Sequence, residues 1–478
     1  MNNWEAEAFD AIINNGFFSI TEPGPLHTPI RSFSISRNEK LELILETVCP
    51  FDATSSEIEH PAGTLRINNE VIELTDPTGV RARAIGVIPF NHSKSFSHRT
   101  GLGELREQAK VHYVETTLRD DVEVAYTIDW LENVEAREFL WPDIIKDKKE
   151  VSETRTIGRD GEVTMHNTDE EFSTGRGCVA LSVAGTTLYL CTSRTVSKGE
   201  ASRPGYIVYV GAPDEDTRRK IRTTLSFCLD VYLVYLGTTT FNNEWHTIYI
   251  KSISAYSIGR RVFELPVLPP APLGYQYERQ ITSLALSRMV NGIYAQHDDL
   301  KFDTLSWIYW HAKCATMQTA AADFGGAIEG LQRNYVTAHP EDIETKLITD
   351  PKLWKILSRE FHQAISRLDV AAENKEILAN RVGILNDVPA TEALRRLLAK
   401  INLGFGSDES RAWGQRNRAA HGREIEDEDR HQAIRDTNLL RGLLRRMLLR
   451  ITNASDTYHD YSTLGFPTRN LSEPPSST

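Results

Sequence analysis

Arg416-Asn417-Arg418-Ala419-Ala420-His421-Gly422 is the stretch of this chain whose residue types and spacing suit the cleavage of RNA. RNA carries its own nucleophile, the 2′-hydroxyl beside each phosphate. Breaking the strand needs one group to take a proton and another to neutralise charge growing on the phosphate. Histidine suits the first task because its unperturbed pKa of about 6.5 lies near working pH. Arginine suits the second because its planar fork donates two hydrogen bonds at once and keeps its charge. Asn417 adds a donor and an acceptor that can orient the histidine or a ribose oxygen. No metal ion is needed.

Arg416 and His421 are five residues apart, so on a continuing helix they sit roughly 140° from one another. They converge on one phosphate only where the helix ends. Gly422 is placed to end it, since glycine readily takes the left-handed conformation that closes helices. The bare spacing is not specific. Arg106/His112, Arg159/His166 and Arg333/His339 share it. The first two fall in strand-like sequence. Arg333-Asn334 through His339 is a serious competitor, with its own asparagine and a helix end near Pro340. The 416–421 string is preferred because it precedes the final amphipathic helix.

The elements that position these residues follow from hydrophobic period. Residues 1–262 read mostly as strands: Arg31–Val48, a hairpin about Asn68-Asn69, Val122–Trp130, and Val179–Thr192 turning at Ala184-Gly185. One helix is predicted after Pro213, with Asp214, Glu215 and Asp216 at its start and an apolar run to Leu236. Residues 263–276 hold four prolines and read as a semi-rigid linker. From 277 to 452 the period becomes helical. Segments lie within Thr304–Val336, after Pro351, at Glu376–Val382, Thr391–Ile401 and Glu409–Ala420, and from about Asp427 to Ile451. Amphipathic helices without intervening strands imply a bundle. The fold class is therefore α+β and multidomain, a strand-rich N-terminal domain followed by an all-α bundle. The polar residues 453–478, ending Pro-Pro-Ser-Ser-Thr, read as a disordered tail.

Composition excludes several classes. The chain has 478 residues, of which 40% are hydrophobic and 25% charged, so it has enough apolar residues for buried cores. Its net charge of −12 is wrong for a protein coated in nucleic acid, so any RNA-binding field must be local. The five cysteines show no CxxC or CxxH spacing, which gives no zinc site and suits a reducing cytoplasm. The acidic N-terminus lacks the layout of a signal peptide, and no apolar run spans a bilayer. P-loop, nucleophile-elbow and zincin motifs do not occur. No cofactor or membrane partner is expected. Arg441, Arg445, Arg446 and Arg450 form a basic stretch on the last helix, with Arg441 and Arg445 as candidate RNA contacts. The alternative is a solvated face. Trp307, Tyr309 and Trp310 read as core, and the polar, basic Asn91–Lys94 segment as a surface loop.

The 416–421 string within a helical C-terminal region resembles the HEPN superfamily, whose members carry Arg, a polar residue and His at this spacing in a helical bundle. The strand-rich region ahead of it is similar to the ApeA-like anti-phage, abortive-infection group. The motif-level resemblance covers about residues 300–452. It implies a metal-independent endoribonuclease that leaves a 2′,3′-cyclic phosphate and a 5′-hydroxyl. It further implies a composite site across a homodimer, with tRNA among the candidate RNA substrates. An acidic–basic pair on an earlier helix is also common in the family. On that resemblance Glu329 would hold Arg416 or His421, and Arg333 would touch phosphate; a surface ion pair between Glu329 and Arg333 is the alternative. The N-terminal domain would then sense a phage-derived or nucleotide trigger. A non-catalytic HEPN module that binds RNA or nucleotides, or an oligomerisation adaptor, is the competing expectation.

Overall fold

The computed structural model describes Ile13 and residues 18–55, 70–97, 102–134, 138–157, 163–193, 203–255, 258–259, 261–274, 280–420 and 425–475. The predicted hairpin at Asn68-Asn69 lies outside them. Two compact units are present, residues 1–267 with 273–287, and residues 268–272 with 288–478. The architecture is α+β: strands dominate the first unit and helices the second.

The first unit carries an antiparallel sheet of eleven strands among the described residues. Across the sheet they run Ser19–Glu22, Val71–Thr75, Arg81–Ile85, Tyr113–Thr117, Thr247–Ile253, Val234–Phe241, Tyr126–Glu132, Gly205–Val210, Thr186–Thr192, Val163–Val183 and Asp143–Ile157. The turn at Ala184-Gly185 forms as read, with both residues at positive φ, 49° and 80°. A second sheet pairs Ser32–Arg37, Leu43–Pro50, Leu102–Val111 and Ile88–Ser97.

Helix α1, Glu215–Leu229, starts where expected, because the Asp214 carboxylate accepts the Thr217 N–H at 2.8 Å. It ends earlier than the apolar run. Asp230 turns left-handed at φ 54°, and Val234–Phe241 is a strand. A short run buried on both sides looks the same in either conformation, so period alone cannot separate them.

The helix α2 (Ser283–Ala295) begins in the first unit and passes into the second at residue 288; the second unit goes on with α3 (Phe302–Cys314), α4 (Met317–Ala338), α5 (Pro351–Ser366), α6 (Ala372–Val382), α7 (Ala390–Lys400), α8 (Ser407–Ala420) and α9 (Arg430–Ile451). The segment read as one helix over Thr304–Val336 is two, broken at Ala315-Thr316. α4 is packed by α3, α8 and α9. It buries Ala320, Ala321, Phe324, Ala327, Ile328 and Leu331, spacings of one, three and four that place them on one face. α9 answers with Leu440, Leu443, Leu444 and Met447. Tyr309 and Trp310 of α3 are core, as read, whereas Trp307 is exposed.

Two sequence expectations are corrected. The expected linker, 263–276, is not free over its described residues 263–274: Pro269, Pro270, Ala271 and Leu273 are buried, and the Pro269 carbonyl accepts the Tyr461 hydroxyl at 2.8 Å. Prolines bury readily because they bring no N–H that needs a partner. The expected disordered tail, 453–478, is ordered over its described residues 453–475, since Thr457–His459 and Thr468–Asn470 pair as strands and Leu471 is fully buried. The Leu471 carbonyl of this segment accepts from the buried Arg446, which composition does not reveal.

Candidate functional site

α8 is anchored before it reaches Arg416. Arg411 bonds Asp408 on the same helix and Asp436 on α9, at 3.2 Å to the latter, and Arg435 bonds Asp408 at 3.0 Å. The Trp413 indole donates to Thr391 Oγ1 at 3.2 Å, which fixes its ring. One turn on, the Arg416 guanidinium lies 3.6 Å over the centroid of that ring. A cation over an indole face is held by the ring's quadrupole. Arg416 also donates through Nη1 to Glu329 on α4. Its side chain is 11% exposed and that of Glu329 35%, so the pair is only partly screened by water. Arg416 Nε is buried with no hydrogen-bond partner among the described residues.

Gly325 makes this approach sterically feasible. It lies one turn before Glu329, and a Cβ there would stand 2.7 Å from Arg416 Cδ and 2.9 Å from its Cβ. Gly326, its neighbour, has open space at the same position. The two should respond oppositely to alanine. Gly325→Ala is expected to cost about 1–3 kcal/mol by overpacking and to displace Arg416. Gly326→Ala is expected to be neutral or to stabilise by up to about 1 kcal/mol, because alanine is the better helix former. Thermal unfolding of the two variants checks the sign.

The structure thus brings Glu329 and Arg416 together, while Arg333 is exposed. Asn417 is exposed beside Arg416. His421 and Gly422 lie outside the described residues, and α8 is described to Ala420. The competing pair, Arg333 and His339, stands at the end of α4 as the preferred string stands at the end of α8. α4 is continuous to Ala338, so six residues leave the two roughly 120° apart around its axis. Asn334 is committed to the Leu300 carbonyl at 2.7 Å, and the His339 ring packs on Tyr335 at 4.7 Å.

Arg445 is corrected as an RNA contact. It is buried, and its Nε donates to the Tyr309 hydroxyl at 3.0 Å. Arg446 is buried too, paired with Glu409. The basic stretch is therefore largely core, and Arg441, half-buried, is the remaining candidate of the two named for RNA. Of the residues that position Arg416, Glu329 was expected from the resemblance, whereas Trp413 and Gly325 were missed by sequence reasoning. Trp413 carried a signal in its three-residue spacing from Arg416. Gly325-Gly326 carried another, since two glycines inside a helix lower its stability unless something must come close.

Among the described residues no helix is long and apolar enough to cross a membrane. No family model, no characterised protein and no solved structure matches this chain.

Proposed function

We propose that the second unit is a metal-independent endoribonuclease of the HEPN type, in which Arg416 binds the scissile phosphate and His421 moves the proton. The observation that carries this reading is the setting of Arg416. It is an arginine near the end of a bundle helix, oriented by Trp413 and Glu329, five residues before a histidine. Preorganised charge at a phosphate lowers the barrier without reorganisation during the reaction. Neutral His421 accepts the 2′-hydroxyl proton as that oxygen bonds to phosphorus. The bond from phosphorus to the 5′-oxygen breaks, and that oxygen takes a proton from solvent. The products are a 2′,3′-cyclic phosphate and a 5′-hydroxyl. Asn417 orients the ribose or the histidine. Following the resemblance, the active form is a cytoplasmic homodimer with its motifs face to face. The strand-rich unit restrains it until an infection-derived protein or nucleotide binds.

A non-catalytic module that binds RNA or nucleotides is the second reading. Glu329 favours it, because phosphate must compete with a carboxylate already bonded to Arg416.

Labelled tRNA and messenger RNA incubated in EDTA with wild type, Arg416→Ala, His421→Ala and His339→Ala separate the readings. Wild type and His339→Ala are expected to release cyclic-phosphate ends. The other two are expected to cut at least about 10²-fold more slowly, the lower range for a lost proton-transfer group. Wild type that cuts neither RNA in vitro nor in phage-infected cells would overturn the catalytic reading. So would equal cutting by Arg416→Ala and His421→Ala.

A further inference from the structure

Cys178 and Cys191 stand directly opposite one another on the antiparallel strands Val163–Val183 and Thr186–Thr192. The other three cysteines have no such neighbour: Cys49 faces Leu105 across its sheet, and Cys228 and Cys314 lie on helices. All five are free thiols. Residues opposed in an antiparallel ladder point to the same face. Their Cα atoms are about 4.5 or about 5.5 Å apart, according to whether the pair exchanges backbone hydrogen bonds. A disulfide spans Cα separations of about 4.4–6.8 Å. The two sulfurs can therefore join with the strands left in place. They are already in contact, because the Cys191 S–H donates to the Cys178 sulfur. That bond holds the Cys178 thiol below its ordinary pKa and pushes Cys191 above its own. Tyr206, opposite Cys191 on the next strand, donates its hydroxyl to the Cys191 sulfur. A row of hydrogen bonds thus ends on Cys178. Both thiols are covered, 8 and 6% exposed, yet they sit on the face these strands turn to water. Ala180 and Ser182, next along that face, are exposed, as are Tyr189 and Thr187 opposite them. Cys49 and Cys228 are fully buried.

We propose that Cys178 and Cys191 form a modification site, a dithiol that a hydroperoxide converts to an intrachain disulfide. The Cys178 sulfur attacks one peroxide oxygen, the O–O bond breaks, and the departing oxygen takes the thiol proton. Cys178 is then a sulfenic acid. The Cys191 sulfur attacks the Cys178 sulfur, and the sulfenic hydroxyl leaves with the Cys191 proton as water. Two thiols lose one electron pair between them, and hydrogen peroxide is reduced to two waters. The lowered pKa of Cys178 and the raised one of Cys191 suit this order, since the thiolate is the nucleophile. In a reducing compartment such a bond forms transiently and reports redox state. It closes the hairpin that turns at Ala184-Gly185 into a covalent ring, which restricts its opening. The site belongs to the first unit, and the inference stands whether or not the second cuts RNA.

Peptide mass spectrometry of the full chain tests this. The reduced protein is treated with hydrogen peroxide, then unfolded and alkylated with N-ethylmaleimide. Wild type is expected to give the peptides of Cys178 and Cys191 joined, lighter by two hydrogens than the dithiol pair, with Cys49, Cys228 and Cys314 alkylated. Dithiothreitol is expected to restore both thiols. Cys191→Ser is expected to leave a sulfenic acid at Cys178 that dimedone traps, and Cys178→Ser to leave Cys191 alkylated. The wild-type measurement needs neither variant to fold. Recovery of Cys178 and Cys191 as alkylated thiols, at a peroxide excess that oxidises free cysteine, would overturn the proposal. So would oxidation of Cys49, Cys228 or Cys314 ahead of the pair, or Cys178 joined to one of those three.

Discussion

Asp129→Ala is expected to destabilise the strand-rich unit by about 3–5 kcal/mol, the cost of leaving buried charge unpaired. Asp129 is fully buried on the strand Tyr126–Glu132, and two arginines of α1 converge on it. Arg218 and Arg222 each donate to one of its oxygens, and Thr238 Oγ1 adds a bond at 2.7 Å. Glu215, at the start of α1, takes the other ends of both guanidinium groups at 2.6 Å. These three residues of α1 are spaced three and four apart and so share one face. Burial works against the charge on Arg222, but Asp129, Tyr235, Tyr209 and Glu215 together outweigh it and hold its pKa above the ordinary value. Removing the carboxylate leaves two desolvated cations against one half-exposed Glu215. Asp129→Asn keeps an acceptor and is expected to lose less. Hydrogen exchange in Tyr126–Glu132 measures the effect locally, and unchanged protection in Asp129→Ala would show that the cluster does not hold α1 to the sheet.

Arg446→Met is expected to cost a similar amount, about 3–5 kcal/mol, in the helical unit. Arg446 is fully buried on α9 and donates to Glu409 at 2.6 Å, to the Leu471 carbonyl at 2.8 Å and to the Gly404 carbonyl at 3.1 Å. Burial pushes the Glu409 carboxyl up in pKa even with Arg446 beside it. Without the arginine, that buried acid must take up a proton or stay unpaired. The double variant Arg446→Met/Glu409→Gln is expected to recover part of the loss, because it removes the buried charge while still leaving two carbonyls without a donor. Denaturant unfolding of the single and double variants checks this. A double variant no better than the single would mean the carbonyls, not the charge, dominate.

These two clusters show where sequence reading stops. The division into strands and helices was legible, because period-two alternation and three-four spacing persist over long segments. The start of α1 was legible from Asp214, a local cap. Arg445 and Arg446 were not, since a buried arginine and an exposed one are the same letter. Glu409, which decides the matter for Arg446, stands 37 residues away. The C-terminal strands were hidden for the same reason: polar composition reads as disorder, whereas the segment is held by Arg446 of α9 at Leu471 and by its own Arg469–Asp460 pair. At the candidate site, the string around Arg416 was visible and Glu329 was named through the resemblance, whereas the parts of Trp413 and Gly325 required knowing that α4 and α8 touch.

Leu471 lies 25 residues beyond Arg446 and supplies two of that arginine's acceptor contacts. A polypeptide emerges from the ribosome N-terminus first. A nascent chain that has emerged only as far as Ile451 therefore holds all the helices named above, yet its deepest arginine still lacks part of its shell. Closure of the bundle waits on residues made after its last helix. Synthesis itself thus imposes an order of assembly within the helical unit.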